Sequence, residues 1–198
     1  LMLSNGTEAK VGTLGSKYEF FHEWKRLSEQ EEGSVALETM LRGICKKDNF
    51  LDLLENFILF DHSDGKTVKI LARNHQYLGV NEAVKAYEAR KLNNGKLGVF
   101  WHTQGSGKSY SMVFLSQKIR RKFVGSPTIV ILTDRDELNT QISDTFENCG
   151  LLGKTKAATY IATSGDDLVL RLQHNPSFIF TLIQKFNKKD ESPIVPDH

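Results

Sequence analysis

The sequence predicts a mixed α/β protein whose C-terminal half contains a parallel β-sheet. From about residue 96 onward, short apolar runs alternate with stretches of helical periodicity. Apolar runs that are each followed by a helix are typical of parallel strands buried on both faces. A chain of 198 residues, of which 39% are hydrophobic, is long enough to bury such a core.

The N-terminal third of the chain is predicted to form a strand pair followed by two short helices. Asn5-Gly6 is a strong hairpin signal within residues 1–14. Aromatic residues at 18–27 precede a polar connector, a change in composition that is typical of a domain boundary. Two apolar sets at i, i+3, i+4, i+7 spacing then predict the helices. They are Leu37, Met40, Leu41 and Ile44, followed by Phe50, Leu53, Leu54 and Phe57.

A third helix is predicted to begin near Arg73 and to end at Asn93-Asn94-Gly95. Beyond it, strands are predicted at 97–101, 128–133, 158–162 and 178–183, and helices at 108–123, 136–148 and 166–173. Asp134 and Glu137 have capping-box spacing at the start of the middle one of these helices. A solvated helix face is the simplest interpretation of Lys118, Arg121 and Lys122.

Charge and cysteine content narrow the functional classes. A net charge of +2 is too small by itself to indicate a nucleic-acid-binding protein, so such a role would need local groups of Lys and Arg. Cys45 and Cys149 lack the spacing of zinc ligands and are typical of a reducing compartment. The sequence has no apolar run of membrane-spanning length and no export signal, so we expect a cytoplasmic protein.

Residues 102–109, HTQGSGKS, have the pattern of a phosphate-binding loop between a predicted strand and a predicted helix. Gly105 and Gly107 allow a phosphate to approach the backbone, and the helix N-terminus adds positive potential. Lys108 is expected to reach the outer phosphates, and the Ser109 hydroxyl to bind Mg²⁺. Further loop donors are Thr103, Gln104 and Ser106, for each of which an ordinary polar loop residue is the alternative. His102 replaces the first glycine of the strict pattern, and a Gly-Ser turn with a solvated lysine is the alternative.

Four segments are more distinctive than the loop alone: LARNHQYLGVNEAV, GVFWHTQGSGKSYSM, TIVILTDRDELNTQISDTF and IFTLIQKF. In this order and spacing they resemble the R subunit (HsdR) of type I restriction enzymes, and the resemblance covers nearly the whole chain. The resemblance implies a superfamily 2 translocase that uses ATP and Mg²⁺ to pull double-stranded DNA, preceded by a PD-(D/E)xK nuclease. Its implied partners are the methyltransferase (M) and specificity (S) subunits.

The same resemblance implies the domain organisation. Residues 1–30 would be the C-terminal tail of the nuclease domain, and residues 31–60 a helical linker. Residues 61–198 would be the N-terminal part of the first RecA-like motor lobe, ending before the Walker B acid.

By this resemblance Gln76 is the glutamine whose amide pairs with the adenine edge, and Arg73 supports the same pocket. An exposed helix glutamine is the alternative for Gln76. The resemblance also implies DNA-backbone contacts from two segments. These contacts would come from Thr133, Arg135 and Gln141, and from Thr181, Gln184 and Lys185. A surface charge paired with Asp136 is the alternative for Arg135.

The catalytic acids are not identified. Asp190 and Glu191 lie in a polar stretch, not at the end of an apolar strand. Glu8 and Lys10 have E-x-K spacing but follow a turn and lack an upstream aspartate, so we reject them as a nuclease site. We therefore expect nucleotide binding with little hydrolysis. Another superfamily 2 helicase or remodeller, a P-loop small-molecule kinase and a non-catalytic interaction module remain alternatives.

Overall fold

The computed structural model describes residues 1–186. The chain forms two compact units, one up to Ile119 and the other from Arg120 onward. Within the described residues, every helix is too short or too polar to cross a membrane.

Unit 1 begins with the predicted hairpin. Strands β1 (Met2–Ser4) and β2 (Ala9–Val11) pair antiparallel, and Gly6 in the turn has a φ of +93°. The predicted helices follow as α1 (Leu37–Met40), which continues into a π-helical turn over Leu41–Cys45, and α2 (Lys47–Asn56). Trp24 packs so closely on the π-helical turn that a Cβ at Gly43 would lie 2.0 Å from its indole nitrogen.

A second hairpin in unit 1 was not predicted. Strands β3 (Ile58–Asp61) and β4 (Val68–Leu71) pair antiparallel in the register Ile58 opposite Leu71. The apolar run that includes β3 directly continues the helical pattern of α2, and a run this short does not distinguish a strand from a helix.

Helix α3 (Asn74–Glu88) lies at the centre of unit 1, and α4 (Lys108–Lys122) begins there. Tyr77 of α3 contacts Trp24 and Phe57 at ring-centroid distances of 5.3 and 4.7 Å, and Phe57 contacts Phe114 of α4 at 5.6 Å. Val80 and Val84 are buried, as the helical pattern predicts. These aromatic contacts join the segment around Trp24 to both helices.

Unit 2 contains the predicted parallel sheet. Strands β5 (Ile129–Thr133) and β6 (Phe178–Leu182) pair parallel, with Ile129 opposite Phe178. Their connection includes α5 (Asp136–Asn148) and α6 (Gly165–Gln173). Phe146 of α5 packs edge-on against Phe178 and Phe180 of β6, at 5.4 and 5.3 Å. The α/β class is therefore confirmed, and the sheet is compatible with a RecA-like lobe.

Three local predictions are wrong. Residues 97–101 form no strand, and Val99 is 93% exposed, because no described strand pairs with them. The predicted strand at 158–162 is mostly a 3₁₀ turn, with a single bridge from Ile161 to Phe180. The capping box is absent because Arg135 is the N-cap residue of α5, and the Asp134 carboxylate lies 3.5 Å from Arg135 Nε instead.

Candidate functional site

The glycine-rich loop leads directly into the N-terminus of α4. Gly105 and Gly107 have φ values of +77° and +83°, in the left-handed region that side chains disfavour. At Gly107 a Cβ would also lie only 2.9 Å from Gln76 Nε2. Glycine at position 107 is therefore required by the backbone conformation and by the close approach of a neighbouring side chain.

Lys108 is exposed and folds back over the loop. Its Nζ donates hydrogen bonds to the carbonyl oxygens of His102 and Thr103, at 2.7 and 3.0 Å. Lys108 and Ser109 are the first residues of a 15-residue helix, whose first amides have no intrahelical acceptor. Ser106 Oγ is buried and has no hydrogen-bond partner among the described residues. This set of cation, amides and hydroxyls fits a phosphate-bearing nucleotide.

The start of α3 contacts the back of the same loop. Gln76 Nε2 donates to the Gly107 carbonyl at 2.9 Å, and Gln76 Oε1 accepts from the Arg73 amide at 2.9 Å. Gln76 is only 3% exposed, so the alternative of an exposed helix glutamine is wrong. Its pairing with adenine stays a prediction, and such pairing would require the amide to exchange these backbone partners.

Two histidines that we did not assign to the site lie at the loop. His75 Nε2 is 3.1 Å from the Ser106 carbonyl oxygen, and the His75 and His102 rings meet edge-on at 4.7 Å. Burial, together with the nearby His75 and Lys108, lowers the pKa of His102. The imidazole at position 102 is therefore harder to protonate than that of an ordinary histidine. Adjacency to Gln76 was the signal in the sequence that could have identified His75.

Contacts within unit 1 hold α4 in place. The Tyr110 hydroxyl donates to the Asp61 carboxylate of β3. Burial raises the pKa of Asp61, but hydrogen bonds from Tyr110 and Ser63 outweigh it, and the pKa is lowered overall.

Lys118, further along α4, is not on a solvated face as predicted. Its Nζ lies 2.6 Å from both Asp52 Oδ2 and Asn81 Oδ1, and its side chain is 8% exposed. Arg121 and Lys122 are exposed, as predicted.

A cleft of about 510 Å³ lies beside the first turn of α3 in unit 1. Its wall carries four Lys or Arg side chains and two glutamates, Glu23 and Glu29, and it shares His75 with the loop contacts described above. The basic and imidazole side chains that line it are Lys10, His22, Lys25, Arg26, Arg73 and His75.

The carboxyl ends of β5 and β6 bring two of the predicted DNA-binding residues to one edge of unit 2. Arg135 follows β5 with a side chain that is 76% exposed, and its ion-pair partner is Asp134, not Asp136. Gln184 follows β6, is exposed, and donates to the Asp134 carbonyl at 3.1 Å. This hydrogen bond links the loop after β5 to the loop after β6.

The other four predicted DNA-binding residues are placed differently. Thr133 and Thr181 are buried, and their hydroxyls donate to the carbonyls of Arg135 and Leu182, both at 3.4 Å. Lys185 Nζ donates to the Ala162 carbonyl, and Gln141 is exposed on α5. The DNA roles of all six residues stay predictions.

The catalytic acids are not located. Asp190 and Glu191 lie outside the described residues. Within residues 1–186, no group of three or more His, Cys, Asp or Glu side chains could hold a metal ion.

Comparisons with known proteins agree with the geometry of the loop. Residues 75–198 match the model of the SWI2/SNF2 ATPase family. The chain is 35% identical to the type I restriction enzyme HindI endonuclease subunit of Haemophilus influenzae, over 99% of this chain and 19% of that protein.

A Methanocaldococcus jannaschii protein, named as a candidate type I restriction enzyme MjaIXP endonuclease subunit, is 28% identical over 99% of this chain and 20% of its own length. The chain therefore spans about a fifth of the length of these relatives.

Proposed function

This chain belongs to the SWI2/SNF2 ATPase family, and from that premise we propose that it forms part of the ATP-driven, DNA-translocating and DNA-cleaving subunit of a type I restriction enzyme. The similarity to type I endonuclease subunits over 99% of the chain supports this choice within the family. Family membership argues against a P-loop small-molecule kinase.

The observation that carries the proposal is the phosphate loop at the start of α4. Lys108 would exchange its two carbonyl acceptors for the outer phosphates of ATP, and Ser109 would hold the Mg²⁺ that accompanies the nucleotide. Bound Mg²⁺ would offset the charge of the phosphate oxygens. Gly105, Gly107, Thr103 and Ser106 would line the phosphates, while Arg73 and Gln76 would serve the adenine end.

Double-stranded DNA would bind along the carboxyl edge of the sheet in unit 2. Exposed Arg135 and Gln184 suit contacts with backbone phosphates, and Gln141 and Lys185 would add to them. Thr133 and Thr181 are buried, so they would support the loops that carry these contacts. The M and S subunits would be the protein partners, in the cytoplasm.

The test of nucleotide binding is the variant Lys108→Ala, measured by calorimetric titration with Mg-ATP. Loss of the charge-assisted contacts should weaken binding about tenfold to a hundredfold. Since the Lys108 side chain is exposed, the variant should keep the circular dichroism spectrum of the wild type. Lys91→Ala, which removes another exposed lysine of unit 1, is the control. Unchanged affinity in Lys108→Ala would support the non-catalytic interaction module instead.

A second candidate is another superfamily 2 remodeller, which the match to the SWI2/SNF2 ATPase model also favours. The two candidates differ in whether the full-length protein has nuclease activity. Mg²⁺-dependent cleavage of duplex DNA by the full-length protein, in complex with its partners, would support the restriction subunit, and translocation without any cleavage would support the remodeller.

A further inference from the structure

Asn74, the first residue of α3, binds the backbone of a segment that is distant in sequence. Its Oδ1 accepts hydrogen bonds from the amides of Lys25 and Arg26, at 3.1 and 3.0 Å, and its Nδ2 donates to the Arg26 carbonyl at 2.9 Å. Asn74 is buried, and the three bonds are partly buried between it and the exposed residues 25 and 26. The side chain thus fixes the backbone of residues 25 and 26 against α3.

The next two residues of α3 bind the phosphate loop. His75 contacts the Ser106 carbonyl at 3.1 Å, and Gln76 donates to the Gly107 carbonyl at 2.9 Å. Three consecutive side chains in the first turn of one helix therefore connect the loop to residues 25 and 26. No flexible connection intervenes, because the three residues share one helical turn.

The residue before Lys25 is packed against α3 and the π-helical turn. Trp24 is buried, contacts Tyr77 of α3 at 5.3 Å, and fills the space beside Gly43. A displacement of the first turn of α3 would therefore also displace the backbone of Lys25 and Arg26.

The chemistry of the peptide bond explains how an occupied loop would act on α3. The carbonyl of Ser106 belongs to the same peptide unit as the amide of Gly107, and the carbonyl of Gly107 to that of Lys108. A phosphate that accepts from the Gly107 amide polarises that peptide unit and strengthens the bond that the Ser106 carbonyl accepts from His75. This bond does not depend on Gln76, whose amide would turn to the adenine, and it holds the first turn of α3 more firmly.

We propose that Asn74 is a positioning residue that transmits the occupancy of the phosphate loop to the backbone of Lys25 and Arg26. The inference rests on the proposed binding of ATP at the loop. Lys25 and Arg26 line the cleft beside α3, so the occupied loop orders one wall of that cleft.

The test is residue-resolved hydrogen exchange of the full-length protein, with and without saturating Mg-ATP. In the wild type, Mg-ATP should slow exchange of the Lys25 and Arg26 amides about fivefold, the effect of roughly one added hydrogen bond. In Asn74→Ala, both amides should exchange faster and at the same rate with and without Mg-ATP, while titration shows ATP affinity within about twofold of the wild type. Asn93→Ala, which removes an exposed asparagine from the turn after α3, should keep the wild-type response.

Asn74→Asp keeps an acceptor for the two amides but loses the donor to the Arg26 carbonyl, so it should reduce the response to Mg-ATP without abolishing it, and it serves if the alanine variant does not fold. If Asn74 had only a structural role, the Lys25 and Arg26 amides of Asn74→Ala would exchange faster, but Mg-ATP would still slow them about fivefold. That result overturns the inference. Bound ATP without any change at Lys25 and Arg26 in the wild type also overturns it and leaves the proposed function standing. A titration without Mg-ATP binding would overturn the proposed function itself, and this inference with it.

Discussion

At the scale of single residues, Gly107 meets two demands that no other residue satisfies. Its φ of +83° disfavours any side chain, and a Cβ would press on Gln76 Nε2 at 2.9 Å. We expect Gly107→Ala to lower the free energy of unfolding by about 1–2 kcal/mol. It should also weaken Mg-ATP binding, because the loop must shift away from Gln76.

Gly95→Ala is the matched control for this prediction. Gly95 has a similar φ of +78°, but no atom lies within 4 Å of the position of a Cβ. Chemical unfolding should show a loss of stability in both variants that is larger in Gly107→Ala, where the added Cβ also meets Gln76, and calorimetric titration should show weaker ATP binding only in Gly107→Ala. Wild-type ATP affinity in Gly107→Ala would contradict the assignment of the loop.

His22 makes stability depend on pH. Burial lowers the pKa of His22 from its ordinary value of 6.5, more than its hydrogen bond to the Ala72 carbonyl raises it. Below about pH 6.5 the unfolded chain therefore binds more protons at His22 than the folded protein does. The stability that neutral His22 contributes is lost as pH falls from there toward the lower pKa of His22 in the folded protein. The slope from this residue is at most about 1.4 kcal/mol per pH unit.

Urea unfolding between about pH 7.5 and pH 5.5 measures this slope. His22→Gln should flatten it, because glutamine can still donate to the Ala72 carbonyl but does not titrate. His174→Gln, at an exposed position on the other unit, should leave the slope unchanged. An unaltered slope in His22→Gln would show that other groups account for the pH dependence.

At the scale of elements, a buried ion pair joins α2, α3 and α4. Lys118 of α4 contacts Asp52 of α2 and Asn81 of α3, and its Nζ lies 4.9 Å from the centre of the Phe57 ring. Lys118→Ala leaves the Asp52 charge without its cation, so we expect a loss of about 3 kcal/mol in the free energy of unfolding. This value is at the low end of the range for breaking a buried ion pair, because the Asp52 side chain is 22% exposed.

Lys85→Ala provides the comparison for this element-scale prediction. Lys85 pairs with Glu82 on the exposed surface of α3, and removing such a pair should cost less than about 1 kcal/mol. In chemical unfolding, equal losses for the two variants would show that the buried pair does not join the three helices. Combining Lys118→Ala with Asp52→Ala should recover part of the loss, because no buried charge then remains.

At the scale of the whole molecule, the proposed function predicts ATP hydrolysis stimulated by double-stranded DNA in the full-length protein. Arg135→Ala should reduce that stimulation by weakening DNA binding. It should also lower the magnitude of the slope of log affinity against log salt concentration by about 1, because one phosphate contact is lost. Fluorescence anisotropy at several salt concentrations gives this slope.

Arg42→Ala is the control for the DNA prediction. Arg42 is an exposed arginine of unit 1 that pairs with Glu38 at 3.1 Å, outside the predicted DNA-binding residues. Its loss should change neither the slope nor the ATPase stimulation. If Arg135→Ala behaves like Arg42→Ala, the carboxyl edge of unit 2 is not the DNA-binding surface.

The helices and the glycine-rich loop could be predicted from the sequence because their signals are local. The predicted helix at 136–148 matches α5, and that at 108–123 differs from α4 by one residue. Apolar periodicity and stop signals lie within the helix itself or directly beside it. The conformational freedom of glycine follows from residue type alone, and Gly105 and Gly107 have φ values of +77° and +83°.

The strands were less predictable because a strand depends on partners elsewhere in the chain. Residues 97–101 are as apolar as β5, yet no strand among the described residues pairs with them, and they form no strand. The hairpin of β3 and β4 was missed for the opposite reason. Its apolar residues continue a helical pattern, and only their pairing with each other distinguishes a strand.

By itself, the sequence determined the α/β class, the positions of the long helices, the glycine-rich loop and the resemblance to type I restriction subunits; α3 ends at Glu88, before the predicted stop at Asn93. Only the tertiary structure decided that Lys118 is buried against Asp52, 66 residues away, that Gln76 binds the loop backbone, and that Asn74 holds residues 25 and 26. The reason is physical: helix formation depends on interactions over a few residues, whereas the partner of a buried polar group is set by which distant segments pack together.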